Sequence, residues 1–306
     1  MLRSLFNRLP IRISRRYSSE TNRMPRAPAI CVSHGGGPLP VLGDPNHKDI
    51  VYSLKNRVPK ILKLDTPDAP RAIIVVTAHW STKDPTISSS ASHQLLYDYG
   101  GFPPESYKLK YPAPGAPDIA KEVNDALAKE GLKPVLDSKR GWDHGLFIPF
   151  LLIRPQADIP LIQLSVLESE DPEAHLRMGR ALSVLRDQNI ALVGSGFASF
   201  HNLRIMFALM QNPAGSKQFA PLSDEWSRTL TEALEVEDVA ERDRRLAEWR
   251  KFPHAYHMHP EGGAEHFLPL LVTAGSAGQE DGKVKKYKDT FAGVAIWTYY
   301  WGDVDV

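Results

Sequence analysis

Five histidines carry most of the chemistry this sequence can do. His34 follows the apolar run 28–33, His79 follows the run 71–77, and His201 lies a few residues past the run 190–195. His144 sits in Gly141-Trp-Asp-His-Gly145, and His266 in Glu265-His-Phe-Leu-Pro-Leu-Leu271. One histidine beside a buried strand is ordinary. The same uncommon residue at three separate strand ends is a different matter, because α/β sheets build their sites in the crevice outside the carboxyl ends of strands. Neutral imidazoles gathered there can hold one divalent ion. Cys31 is the only cysteine, so an intramolecular disulfide and a cysteine-ligated zinc site are both excluded, and a reducing compartment fits. Any metal must rest on His, Asp and Glu. His93 and His175 have no supporting context and read as surface residues. His254, His257 and His259, between Pro253 and Pro260, read as surface or supporting residues.

Glycines stand at two of these strand ends, in Gly35-Gly36-Gly37 and in Gly194-Ser195-Gly196, where they permit close approach of backbone to a ligand. Neither is a phosphate loop, since no Gly-Lys-Ser/Thr or G-x-G-x-x-G follows. Gly194-Ser-Gly196 lacks the spacing of a nucleophile elbow, and no H-E-x-x-H occurs.

The elements that must position the histidines are strands and helices in alternation. Strands are expected at 28–33, 71–77, 160–166, 190–195 and 291–300. Helices are expected at 47–62, 117–131, 173–187 and 223–250, with another from Glu265 to Ala274. Residues 81–116 read as a loop-rich region and 275–288 as an exposed loop. The strand runs are apolar on both faces, which belongs in a sheet covered on both sides. The expected fold is therefore a single α/β domain with a mostly buried central sheet flanked by helices and a metal site at the strand C-terminal ends.

Composition limits the function classes. Residues 1–30 hold seven arginines against the single acid Glu20, so of a net charge of +1 the rest carries about −5. A mildly acidic body argues against a nucleic-acid surface, and no apolar run reaches membrane-span length. Residues 1–26 read as a mitochondrial transit peptide, Arg-rich and Ser-rich with apolar residues at helical spacing and a cleavage-like Arg15-Arg16-Tyr17-Ser18. The alternative is a disordered extension of a cytoplasmic protein. The catalytic domain is then 27–306, in the mitochondrial matrix on the first reading.

Seven ordered motifs carry a resemblance. They are Ser33-His-Gly-Gly-Gly-Pro38, Thr77-Ala-His-Trp80, Asp98-Tyr-Gly-Gly-Phe-Pro103, Tyr111-Pro-Ala-Pro-Gly115, Trp142-Asp-His-Gly145, Gly194 through Leu203, and Glu265 through Leu270. Together they resemble the class III extradiol ring-cleavage dioxygenases, in particular the subgroup named for 4,5-DOPA dioxygenase, over about residues 27–300. The resemblance implies metal ligands at His34, His79 and His266. It implies His201 as catalytic acid/base and possible fourth zinc ligand, and His144 as a substrate-contacting catalytic residue. It implies Fe(II) for activity, with Zn(II) able to occupy the same site, and a catechol and O2 as substrates. The segment before His266 is two residues longer than the subgroup's Pro-x-x-Glu-His. More distant members use a glutamate as third ligand, but Glu265 and His266 would point about 100° apart on a helix, and the match favours His266.

Such chemistry suits these residues. Three protein ligands leave an octahedral ion open positions for two substrates, neutral imidazoles leave the ion its full charge, and a histidine near neutral pKa can take and return a proton. Trp80, Tyr99, Phe102 and Trp142 are candidate walls for an aromatic ring, with core packing the equal alternative. Arg140 and Arg204 are candidates for a substrate carboxylate. Two other functions fit the same histidines: a zinc hydrolase with His201 as base to a metal-bound water, and a non-catalytic binding protein on the same fold.

Overall fold

The computed structural model describes residues 25–306. The transit-peptide reading therefore lies outside the described residues, except for its last two positions. Arg26, at the boundary drawn from composition, is tied into the domain: its guanidinium pairs with Asp187 and Asp281 and donates to the Ser183 and Ser276 carbonyls.

The strands are β1 (Ala29–Ser33), β2 (Ala72–Thr82), β3 (Thr86–Ser88), β4 (Val135–Asp137), β5 (Leu161–Leu167), β6 (Ile190–Gly196), β7 (Lys285–Phe291) and β8 (Val294–Trp301). They form one eight-stranded sheet in the order β4-β3-β5-β2-β6-β1-β8-β7. The middle four, β5, β2, β6 and β1, are parallel. β8 and β7 continue one side antiparallel, and β3 opens the other antiparallel to β5. Every residue of β1, β5 and β6 is buried, which is what apolar runs without alternation require.

The helices are α1 (Leu39–Leu42), α2 (Lys48–Asn56), α3 (Val58–Ile61), α4 (Pro117–Lys129), α5 (His144–Ile153), α6 (Pro172–Arg186), α7 (Leu203–Gln211), α8 (Ser216–Leu234), α9 (Val239–Ala247), α10 (Ala255–Met258) and α11 (Leu268–Gly275). α11 packs on β6 and against α6, while α5 packs on β2 and against α2. Alternation along β6 separates these two layers. A side chain at Gly194 or Gly196 would strike Pro269 or His266, whereas Ser195 points the other way and bonds the Gly145 carbonyl.

The α/β architecture and the parallel centre agree with the expectation, and several details differ. The exposed loop expected at 275–288 ends in the edge strand β7, whose alternating burial brings Tyr287, Asp289 and Phe291 inward. The strand expected at 291–300 is the second arm of that hairpin. The single helix expected over 223–250 breaks at Glu235–Asp238, where the Asp238 side chain accepts from the Glu241 N–H and caps α9. The expected 47–62 helix likewise divides into α2 and α3. α5 carries no periodic stripe in the sequence, because His144–Ile153 is apolar on nearly every side.

Candidate metal centre

His34 leaves the end of β1 and enters Gly35 at φ +89, where a side chain would strike Pro40. The turn returns the chain so that Gly36 donates to Nε2 of the buried His47, whose Nδ1 is bound to Asp44. His47 was not singled out in the sequence. Its only signal was an aspartate three residues before it.

His79 sits inside β2 rather than beyond it. Pairing with β5 jumps from Thr77↔Ser165 to Ser81↔Val166, so Ala78–Trp80 form a bulge. A bulge re-aims a side chain at a sheet end. The bulge is braced by Thr77 Oγ1, which accepts from the His79 N–H and donates to Asp143, and by Arg140, which donates to the His79 carbonyl. Burial, with Asp98 adding, pushes the Asp143 carboxyl up to about 6.

His266 lies in the turn before α11, not at the helix start as expected. Its carbonyl accepts from Phe197 N–H at 2.7 Å. A Cβ on Gly196 would lie 2.2 Å from that carbonyl oxygen. Gly196 therefore admits the protein's own backbone, where the sequence suggested a ligand.

The three Nε2 atoms converge. His34 and His79 Nε2 are 3.1 Å apart, and His266 and His79 Nε2 are 3.3 Å apart. Three imidazole nitrogens each about 2.1 Å from one ion, at octahedral or tetrahedral angles, stand about 3.0–3.4 Å apart. The other ring nitrogens show which atoms carry the protons. Ser195 Oγ donates to the Gly145 carbonyl, so at 3.0 Å from His34 Nδ1 it must accept. Glu265 Oε1 accepts from His266 Nδ1 at 2.8 Å, and Asp98 Oδ2 faces His79 Nδ1 at 3.6 Å. These bonds place the proton on Nδ1 at His34 and His266, so their Nε2 lone pairs face His79 Nε2, whose ring has Asp98 behind it at 3.6 Å, beyond hydrogen-bond reach. Burial, and then the neighbouring imidazoles, hold all three pKa values well below the ordinary range. Neutral, buried, convergent lone pairs are a donor set that a divalent cation fits.

Two histidines flank this cluster. His144 opens α5, and both its backbone N–H and its Nδ1 bond Asp98 Oδ1 at 2.9 Å. Burial works to raise the Asp98 carboxyl, but the bonds from His144 outweigh it and hold it below its usual value. His201 stacks on His266, with ring centroids 3.3 Å apart and planes 12° from parallel, and its Nδ1 is 3.7 Å from Glu265. Burial, with His144 adding, pushes its pKa down to about 4. Asp98 and Glu265 are each shared between two histidines, Asp98 by His79 and His144 and Glu265 by His201 and His266, a pairing that their positions in the sequence do not reveal.

All five histidines line one cavity of about 420 Å³, with Tyr99, Phe102, Leu39 and the α7 side chains Leu203, Met206, Phe207 and Met210. The other two aromatic candidates serve the core. Trp142 is fully buried and stacks on His93, and Trp80 lies beneath the Arg140 guanidinium. Arg140, occupied by Trp80, Asp143 and the His79 carbonyl, does not line the cavity, nor does the exposed Arg204.

The surface assignments of two histidines are corrected. His175 is fully buried, with Nδ1 on the Asp171 carbonyl and Nε2 accepting from Leu167 N–H. His93 is half-buried between the Arg140 and Ser90 carbonyls. His259 is also fully buried, among Trp226, Trp249 and Phe267. His259 Nε2 faces the Ala198 carbonyl at 3.3 Å, and its buried Nδ1 has no partner among the described residues.

Two adjoining clusters, His34-His79-His144 and His201-Glu265-His266, line one cavity beside the parallel centre of a mixed α/β sheet, an arrangement that fits a metal-dependent enzyme. Over residues 28–301 the chain matches the family described as "Catalytic LigB subunit of aromatic ring-opening dioxygenase". It belongs to that family and is an extradiol dioxygenase. It is 56% identical over 295 residues to dioxygenase tasH of Hapsidospora irregularis, covering 94% of this chain and 89% of that one. It is 33% identical over 264 residues to the 4,5-DOPA dioxygenase extradiol of Escherichia coli (strain K12), covering 83% and 87%. It is 36% identical over 214 residues to the enzyme of the same name from Beta vulgaris, covering 69% and 74%. An uncharacterised protein of Escherichia coli K12 shares the fold with a TM-score of 0.67 and 27% identity, covering 90% of this chain and 100% of that one. Among the described residues, no helix is long and apolar enough to cross a membrane.

Proposed function

We propose that the ring this enzyme opens is a catechol and that iron(II), held by His34, His79 and His266, is its working metal. The observation that carries the metal site is the convergence of three Nε2 atoms at 3.1 and 3.3 Å. Glu265 stands behind His266, bound to its Nδ1, which supports the imidazole as ligand and the carboxylate as its orienting partner. Iron(II) supplies the redox activity and open coordination positions that O2 chemistry needs, and zinc(II), which these ligands also suit, supplies no redox step.

The remaining roles belong to the flanking histidines. His201, at the cavity wall, is placed to take a hydroxyl proton from the catechol and return it; burial keeps it neutral at physiological pH but pushes its pKa down to about 4, below the near-neutral value expected of a general base. His144 has its Nδ1 committed to Asp98, which leaves Nε2 as the ring nitrogen for a substrate hydroxyl. Tyr99 and Phe102 form an aromatic wall beside them. The Arg-rich segment 1–17 supports import into the mitochondrial matrix followed by its removal.

Metal-stripped protein reloaded anaerobically with iron(II) or zinc(II) tests the reading. On admitting air with a panel of catechols, the iron form takes up O2 and generates the visible absorbance of a ring-opened semialdehyde, and the zinc form is silent. Stoichiometric iron with no O2 uptake on any catechol rejects it.

A further inference from the structure

α7 presents a face that a helix in water does not ordinarily leave bare. Leu203, Met206, Phe207 and Met210 recur at i, i+3, i+4 and i+7, so they form one stripe, and all four line the cavity that holds the histidines. Met206 is buried, but Leu203 and Phe207 are 55% and 58% exposed. Leu39 and Phe102 line the same cavity. Its volume of about 420 Å³ lies within the range that holds drug-sized ligands, beyond the needs of a bare catechol ring.

Charge narrows the occupant further. Among the described residues, no lysine or arginine lines this cavity, and the carboxylate that does, Glu265, is committed to His266. A catechol carrying a carboxylate would bring that anion against the apolar side chains of α7 without a cationic side chain to pair it. A catechol carrying a hydrocarbon group would instead cover the bare stripe of α7.

We propose that the natural substrate is an uncharged catechol with an extended apolar substituent lying along α7, and that Phe207 and Met210 set this preference. The proposal rests on the catechol reading of the site and adds a substrate class to it.

Calorimetry under nitrogen on the iron-loaded protein separates binding from turnover. A series from 4-methylcatechol to 4-hexylcatechol is expected to bind about two- to fourfold more tightly for each methylene added. 4-Butylcatechol is expected to bind at least tenfold more tightly than the similarly sized 3-(3,4-dihydroxyphenyl)propionate. Phe207→Ser and Met210→Ser should each flatten the dependence on chain length, and Arg204→Ala should leave the order of the series unchanged. Equal or tighter binding of the propionate, or an unaltered slope in both serine variants, overturns the substrate class. Loss of propionate binding in Arg204→Ala would also overturn it, by assigning that arginine to a substrate carboxylate. Admitting air afterwards distinguishes the two readings. Tight binding of the alkyl series without cleavage removes the catechol reading and this substrate class with it. Cleavage with a preference for the acid removes the substrate class alone.

Discussion

Ser195→Ala tests the argument that the protons of the cluster are directed from behind. Ser195 is fully buried, and its hydroxyl links the His34 Nδ1–H to the Gly145 carbonyl. Alanine removes both bonds and introduces no new group. If His34 keeps its proton on Nδ1, two buried polar groups lose a partner, and the metal-free protein should lose about 1–3 kcal/mol of stability. If the imidazole moves its proton to Nε2 instead, that loss shrinks, but the proton then occupies the point where the lone pairs meet and must leave before an ion enters. Removal of such an orienting partner typically costs 10–100-fold in metal affinity, or about 1.4–2.7 kcal/mol. Two assays on the same protein separate the branches: urea unfolding of the metal-free form, and metal titration against a competing chelator. A large effect in one should accompany a smaller effect in the other. A folded variant with metal affinity and metal-free stability both within twofold equilibrium of wild type would refute the reasoning.

His79→Ala removes the nitrogen that stands between the other two, and metal content by elemental analysis should fall to background; retained stoichiometric metal would take His79 out of the centre. His201→Ala should keep the metal and lose about 10²–10⁴-fold in turnover, so wild-type rates would end its proton-transfer role. Burial pushes the His175 pKa down to about 4, while the unfolded chain takes up that proton near 6.5. The native pKa is the lower one, so this group's contribution is complete above pH 6.5 and declines by about 3 kcal/mol as pH falls to 4. His175→Gln, measured by denaturant unfolding of metal-free protein, should flatten that acid limb; parallel curves would contradict it. Gly196→Ala places a methyl against the His266 carbonyl, and should lower both the melting temperature and metal affinity; an unshifted melt would show that the α11 entry yields easily.

Much of this site was legible because buried parallel strands leave a plain signature. Ala29–Ser33 and Ile190–Gly196 are continuous apolar runs that stop at glycine and histidine, and the ends of such runs are where a sheet exposes its crevice. His266 was assigned through ordered motifs, since nothing about its own neighbours distinguishes a ligand from a turn residue. The expected positions failed where the local pattern was weak or mixed. β7 reads Lys-Lys-Tyr-Lys-Asp-Thr-Phe, and its lysines suggested solvent although they mark a protected sheet edge. The three-residue strands β3 and β4 are too short to show a period. The bulge at His79 depends on the register of β2 against β5, a long-range pairing that no local window contains.

The histidines of the cluster come from widely separated points in the chain, at residues 34, 79, 144, 201 and 266. The three convergent nitrogens share a focus only when β1, the bulged end of β2 and the entry to α11 are all docked. An ion bound at that focus is therefore a ligand of the finished fold, with little hold on partly folded chains. By mass action, free metal at a hundred times its dissociation constant would add about 2.7 kcal/mol to the native state. Metal supply in the compartment where this chain matures would then set how long it survives proteolysis, before any substrate arrives.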